Sequence, residues 1–131
     1  PWSPLAGGGL TGKYKRIKKQ ITGTRFGDET DPLKLKRFSS GVIDITDALE
    51  PIALAHAATV AQVALAWVIA QPGVTAPIIG PRTMQQLEDN LGALDLQLSG
   101  EELSLIDELA QPGTNVADYY EASFKPNQHH F

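Results

Sequence analysis

The opening stretch PWSPLAGGGLTGKYKR carries residues suited to binding phosphate. Gly7, Gly12 and Lys13 fit G-x-x-x-x-G-K, the first seven positions of a nucleotide-binding P-loop. That loop needs Ser or Thr after its Lys, because the hydroxyl ligates Mg²⁺. Tyr14 stands there instead. The lysine must also open an amphipathic helix, and KYKRIKKQITG has too few apolar residues to make one. A second phosphate chemistry fits better. Glycines let backbone N–H groups approach a pyrophosphate closely. Trp2 offers a flat face for a heteroaromatic ring, and Ser3 a hydroxyl. Against this stands a plain strand-to-loop turn with Trp2 in the core. The residues alone leave these two readings open.

IIGPRTMQQLEDN is the other candidate. It reads as the C-terminal end of a strand running into a helix, where α/β folds bind ligands. Arg82 precedes the helix cap and is the one Lys or Arg between Arg37 and Lys125. A guanidinium at a helix N-terminus, among Glu88, Asp89 and Asp95, suits an external anion such as a phosphate. The alternative is a surface ion pair with Glu88 or Asp89, worth under about 1 kcal/mol. Gln86 and Asn90 share a face with Arg82 at i+4 spacing. They either hydrogen-bond a ring amine or face water.

These loops need elements to hold them. Residues 1–5 read as a strand end, 6–12 as a glycine loop and 13–41 as a long loop. Asp47 with Glu50 resembles a capping box, with Pro51 tolerable in a first turn; the helix otherwise starts nearer Val42 and kinks at Pro51. Thr59 and Gln62 cap VAQVALAWVIAQ, a helix apolar nearly all round and so buried. Pro72-Gly73 ends it, and VTAPIIG follows as a short strand with Pro77 at its first paired residue. Thr83 and Gln86 cap a helix whose inner face holds Leu87, Leu91 and Leu94. Ser99 and Glu102 cap the last, with Leu103, Ile106 and Leu109 facing inward. This βα alternation predicts an α/β fold with parallel strands. Two such strands cannot bury both faces of a sheet, and the chain begins with Pro1. The expectation is one part of a larger barrel or sheet, or a truncated relative of one.

At 131 residues the chain is one domain at most, without internal repeats. It has no cysteine, which excludes disulfides and thiolate metal sites and suits a reducing, cytoplasmic setting. No apolar run reaches membrane-spanning length, so no membrane is expected. The net charge of −4 hides an asymmetry: residues 1–37 hold nine of the eleven basic residues against three acids. No aromatic interleaving or nucleic-acid motif accompanies that basic stretch, so it reads as a solvated lysine-rich loop and no nucleic acid is expected.

WSPLAGGGLTGKY, AQVALAWVIAQPGV and PIIGPRTMQQLEDNLGAL, in this order and spacing, resemble the C-terminal part of the aldo-keto reductase family, and the likeness covers residues 1–110. The subgroup it is most similar to contains potassium-channel beta subunits and bacterial relatives, where Trp begins the first motif. The resemblance implies the end of strand seven, helix seven, strand eight and helix eight of a (β/α)8 TIM barrel. Residues 111–131 would be a tail over the barrel mouth, or disordered. It implies NADP(H) as cofactor, bound extended across the barrel face, and a small carbonyl substrate reduced by hydride transfer. It leaves the oligomeric state open.

Carried over by position, Trp2 is the platform under the nicotinamide. Ser3, Pro4, Leu5, Ala6 and Gly7 wrap the pyrophosphate, and Lys13 and Arg25 close over the cofactor. Gly80 and Arg82 hold the 2′-phosphate, and Gln86, Asp89 and Asn90 the adenosine end. The opening loop is then a phosphate cradle for a dinucleotide, without Mg²⁺. The family's catalytic Tyr, Lys, Asp and His come from earlier strands, and none maps onto this chain. Tyr14, Tyr119 and Tyr120 match no catalytic position, so no catalytic residue is expected here, and this segment alone should be inactive. His56 reads as packed or solvent-facing, and His129-His130 as part of a disordered tail rather than a metal pair. Ala57 departs from the family's helix-ending glycine, a substitution that costs roughly 1 kcal/mol if the site needs positive φ. Two other functions stay open beside the reductase: a nucleotide-sensing regulatory subunit of a membrane channel, and a truncated interaction module.

Overall fold

A computed structural model describes residues 1–14, 40–111, 114 and 116. Among them run four α-helices: α1 (Ser40–Ala55), α2 (Val60–Ala70), α3 (Met84–Leu91) and α4 (Gly100–Leu109). Short 3-10 segments cover Ala6–Thr11 and Gly92–Leu94. Arg25, Tyr119, Tyr120 and His129-His130 lie outside the described residues.

Local signals start α2 and α4. The Thr59 hydroxyl accepts from Gln62 N–H while the Gln62 side chain accepts from Thr59 N–H. Ser99 and Glu102 repeat the arrangement at α4. Each reciprocal pair satisfies two backbone donors that the helix itself leaves orphaned. At α3 only half of this forms. Thr83 accepts from Gln86 N–H at 3.2 Å, but Gln86 Oε1 reaches past the cap to Arg82 N–H at 2.8 Å.

The Asp47–Glu50 pattern does not start a helix. α1 begins at Ser40 and carries Pro51 in its interior. Its buried stripe is Val42, Thr46, Leu49, Ile52 and Ala53, a helical spacing that reaches well before Asp47. Burying one such aliphatic residue contributes about 1.5–3 kcal/mol. Several together outweigh a cap of about 1 kcal/mol and offset an interior proline at about 3 kcal/mol. Thr46, the buried polar residue of the stripe, places its hydroxyl 2.7 Å from the Val42 carbonyl and 3.3 Å from the Gly9 carbonyl.

α1 ends in a Schellman motif. Ala58 N–H donates to the Ala53 carbonyl at 2.8 Å and Ala57 N–H to Leu54 at 3.2 Å. Ala57 takes the left-handed position of that motif, with φ 49°. The chain then turns by 93° into α2. α2 is buried nearly all round, through Ala61, Val63, Ala64, Leu65 and Ala66, and Val63 is fully enclosed. The core joins Leu49, Ile52 and Ala53 of α1 to Val63 and Ala64 of α2 and Ile106 of α4. Two polar ties flank it: Trp67 Nε1 donates to Asp107 Oδ1 at 2.8 Å, and His56 Nε2 meets Glu102 Oε1 at 2.8 Å. No single helix among the described residues is long and apolar enough to cross a membrane.

Three expectations need correction. The two strands are absent among the described residues, where one isolated parallel bridge, Trp2 with Ile78, stands in their place. Its backbone bond runs from Ile78 N–H to the Pro1 carbonyl at 2.8 Å. The pairing stops on one side because Ser3 turns to φ 52° and Ala6 N–H folds back onto the Ser3 carbonyl. The second correction concerns α3, which buries no residue, and the 3-10 segment after it: Leu91 and Leu94 are 47% and 67% exposed, and Leu87 is half-buried. Third, Ile106 is buried in α4, whereas Leu103 is half-buried and Leu109 exposed.

Candidate nucleotide-binding cleft

A cleft of about 630 Å³ opens between the glycine loop and the start of α3. Trp2, Ser3, Pro4, Leu5, Gly7, Gly8, Thr11 and Lys13 form one rim. Ile78, Ile79, Gly80, Pro81, Arg82, Gln86, Asp89 and Asn90 form the other, with Thr59 and Ala61 from the start of α2 between them. The Trp2–Ile78 bridge joins the rims. The structure thus brings together Trp2, Ser3, Pro4, Leu5, Gly7, Lys13, Gly80, Arg82, Gln86, Asp89 and Asn90 along one groove. Ala6 is not a lining residue of this cleft. It lines a second, apolar cavity of about 220 Å³ with Leu10, Val42, Ile45, Leu49 and Trp67.

The glycine loop is a strained, tightly bonded turn. Ser3, Ala6, Gly7, Gly8 and Gly12 all have φ between 50° and 101°. For Ser3 and Ala6 this conformation costs roughly 1–2 kcal/mol each. Strain of this kind concentrates where a backbone must meet a ligand. The loop is held by Gly8 N–H on the Leu5 carbonyl at 2.8 Å and by the Thr11 hydroxyl on the Gly8 carbonyl at 2.7 Å. At Gly8 the missing side chain has a purpose: a Cβ there would lie 3.2 Å from Lys13 Nζ and 3.6 Å from its Cε. Lys13 lies over the loop with its ammonium 5.0 Å from the centre of the Tyr14 ring, a cation–π contact. Trp2 is 49% exposed and is therefore not a core residue.

On the facing rim, Arg82 is exposed, and among the described residues no carboxylate lies within 4.0 Å of its guanidinium. The ion pair with Glu88 or Asp89 does not form. Gln86 spends its amide oxygen on Arg82 N–H, which shapes the approach to α3 and leaves its NH₂ as the group it offers. Asp89 is half-buried, and its carboxylate receives the Thr59 hydroxyl at 3.4 Å. The cleft thus has an indole, one cation on each rim, a carboxylate beside α2 and a glycine loop whose Ala6, Gly8 and Leu10 N–H groups bond within the loop itself. Such a set suits an elongated, multiply phosphorylated ligand with an aromatic ring.

Gly8, Thr11, Thr59, Ala61, Ile78, Ile79 and Pro81 also line the cleft without being marked by sequence as binding residues. Gly8 was legible, since it belongs to the same glycine run. Thr59 and Ala61 were hidden because their signal is that of a helix start.

Residues 1–111 match the model of the Aldo/keto reductase family. The chain is 39% identical over 125 residues to an uncharacterized oxidoreductase, YrpG, of Bacillus subtilis, covering 91% of this chain and 34% of that protein. It is 34% identical over 109 residues to the L-glyceraldehyde 3-phosphate reductase of Escherichia coli O157:H7, covering 82% of this chain and 32% of the relative. A probable voltage-gated potassium channel subunit beta of Arabidopsis thaliana is 35% identical over 96 residues, covering 72% of this chain and 29% of its own length. The chain spans about a third of the length of the curated relatives it matches. By the match of its motifs over nearly its whole length, the chain belongs to the aldo/keto reductase family.

Proposed function

We propose that this chain is the nucleotide-binding C-terminal portion of an NADP(H)-dependent aldo/keto reductase barrel, and that the complete protein reduces aldehydes or ketones to alcohols. Residues 1–110 form that portion and 111–131 its tail. The observation that carries this reading is the shared groove: Trp2 and Arg82, 80 residues apart in sequence, line one cleft together with the glycine loop. Trp2 stacks under the nicotinamide. The loop backbone and Lys13 take the pyrophosphate. Arg82 with Gly80 takes the 2′-phosphate, and Gln86, Asp89 and Asn90 the adenosine. Bound there, the reduced nicotinamide supplies a hydride for a carbonyl carbon. The described residues bind and orient it.

Arg82→Ala in the complete protein tests the assignment. Loss of a charge-assisted hydrogen bond should weaken NADPH binding by about 1.5–3 kcal/mol. NADH binding should change much less. Equal losses for the two cofactors would remove Arg82 from the 2′-phosphate.

The likeness to a potassium channel beta subunit favours a second reading, a nucleotide-sensing subunit docked on a membrane channel. Turnover of simple aldehydes with NADPH by the complete protein supports the reductase. NADPH binding without turnover, together with a co-purifying channel, supports the sensor.

A further inference from the structure

Gln62 is not a lining residue of the cleft, yet its amide joins two residues that are. Its Oε1 accepts from Thr59 N–H at 2.8 Å, closing an orphan donor at the start of α2. Its Nε2 donates to the Asp89 carbonyl at 2.8 Å, in the last turn of α3. One amide therefore caps the N-terminus of one helix and the C-terminus of another. Gly92 makes this contact possible, because a Cβ at that position would collide with Gln62 Nε2. The two backbone partners, Thr59 and Asp89, belong to residues that line the cleft, and their side chains meet at 3.4 Å.

We propose that Gln62 is a positioning residue for nucleotide binding: its amide locks α3, which carries Gln86, Asp89 and Asn90 and follows Arg82, against the start of α2. The inference rests on the reading of the cleft as a dinucleotide site. The residue type is dictated by the two bonds. Glutamate keeps the oxygen that Thr59 needs but loses the donor and sets a carboxylate against the Asp89 carbonyl. Asparagine is one methylene too short. Alanine loses both bonds.

Gln62→Glu in the complete protein is the test, because it is nearly isosteric and keeps the helix-starting half of the contact. Calorimetric titrations use NADPH, 2′,5′-ADP as a probe of the α3 rim and reduced nicotinamide mononucleotide as a probe of the Trp2 rim. NADPH and 2′,5′-ADP should each bind about five- to twentyfold more weakly, as expected for one lost hydrogen bond with an added repulsion. The mononucleotide should stay within about twofold. Gly92→Ala, which displaces the amide from the other side, should reproduce this split. Combining both substitutions should add little beyond the worse single one. If Gln62→Glu does not fold, Gly92→Ala carries the measurement alone. Unchanged 2′,5′-ADP affinity in the folded variants overturns the proposal. So does equal weakening of both half-ligands, the mark of general loosening. If the unsubstituted protein binds neither half-ligand, the dinucleotide reading itself falls and takes this inference with it. Binding that is lost only in the variants leaves that reading standing.

Discussion

His56 Nε2 lies 2.8 Å from Glu102 Oε1, tying the turn after α1 to the first turn of α4. The same carboxylate accepts Ser99 N–H through its other oxygen at 2.8 Å. Glu102 thus serves as helix cap and as interhelical partner at once.

This double duty makes a pH prediction. The Ser99 backbone N–H, and after it the His56 side chain, hold the Glu102 carboxyl below its ordinary value of 4.5. A depressed folded value means that the contribution is present above the unfolded value and lost as pH falls through the folded one. Melting temperature should therefore drop on acidification below about pH 4.5, in part through Glu102. Glu102→Gln replaces the carboxyl with an amide that does not titrate, so the variant should show a shallower decline across that window. Parallel profiles for the two proteins would count against the assignment.

Ala57→Gly should stabilise the protein. Ala57 sits at φ 49° in a Schellman motif whose two backbone bonds are already made. Relieving the left-handed conformation gains about 1–2 kcal/mol, and the greater freedom of glycine in the unfolded chain returns about 0.4–1 kcal/mol. A net gain of about 1 kcal/mol in urea unfolding is expected. No gain, or a loss, would show that the motif does not persist in solution.

Gly8→Ala should act on both stability and binding. The position has φ 101°, and the added methyl would press on Lys13 at 3.2 Å. The backbone cost is about 1–2 kcal/mol, read by denaturant unfolding. Displacement of Lys13 should also weaken NADPH binding, read by fluorescence titration. An unaltered affinity would separate Lys13 from the ligand.

Sequence reading succeeded where the physics is local. The Thr59–Gln62 and Ser99–Glu102 boxes span three residues each, and both close as expected. Asp47 and Glu50 carry a similar signature, but the buried stripe running from Val42 overrides it. A leucine period identifies a face without saying what covers it, which is why Leu91 and Leu94 were expected inside and lie exposed. Eleven of the residues that line the cleft are legible as motifs, whereas the bond from Gln62 to Asp89 is not. It spans 27 positions and depends on a side chain that Gly92 lacks. Gln86 was legible as a polar neighbour of Arg82, but not as the acceptor for its backbone.

The Trp2–Ile78 bridge sits at the seam of the groove, and only a short stretch of backbone is stitched there among the described residues. A guest that reaches from the indole to the guanidinium would clasp both banks like a brace across a hinge. Such a guest would stabilise the folded chain by mass action, in proportion to how tightly it binds.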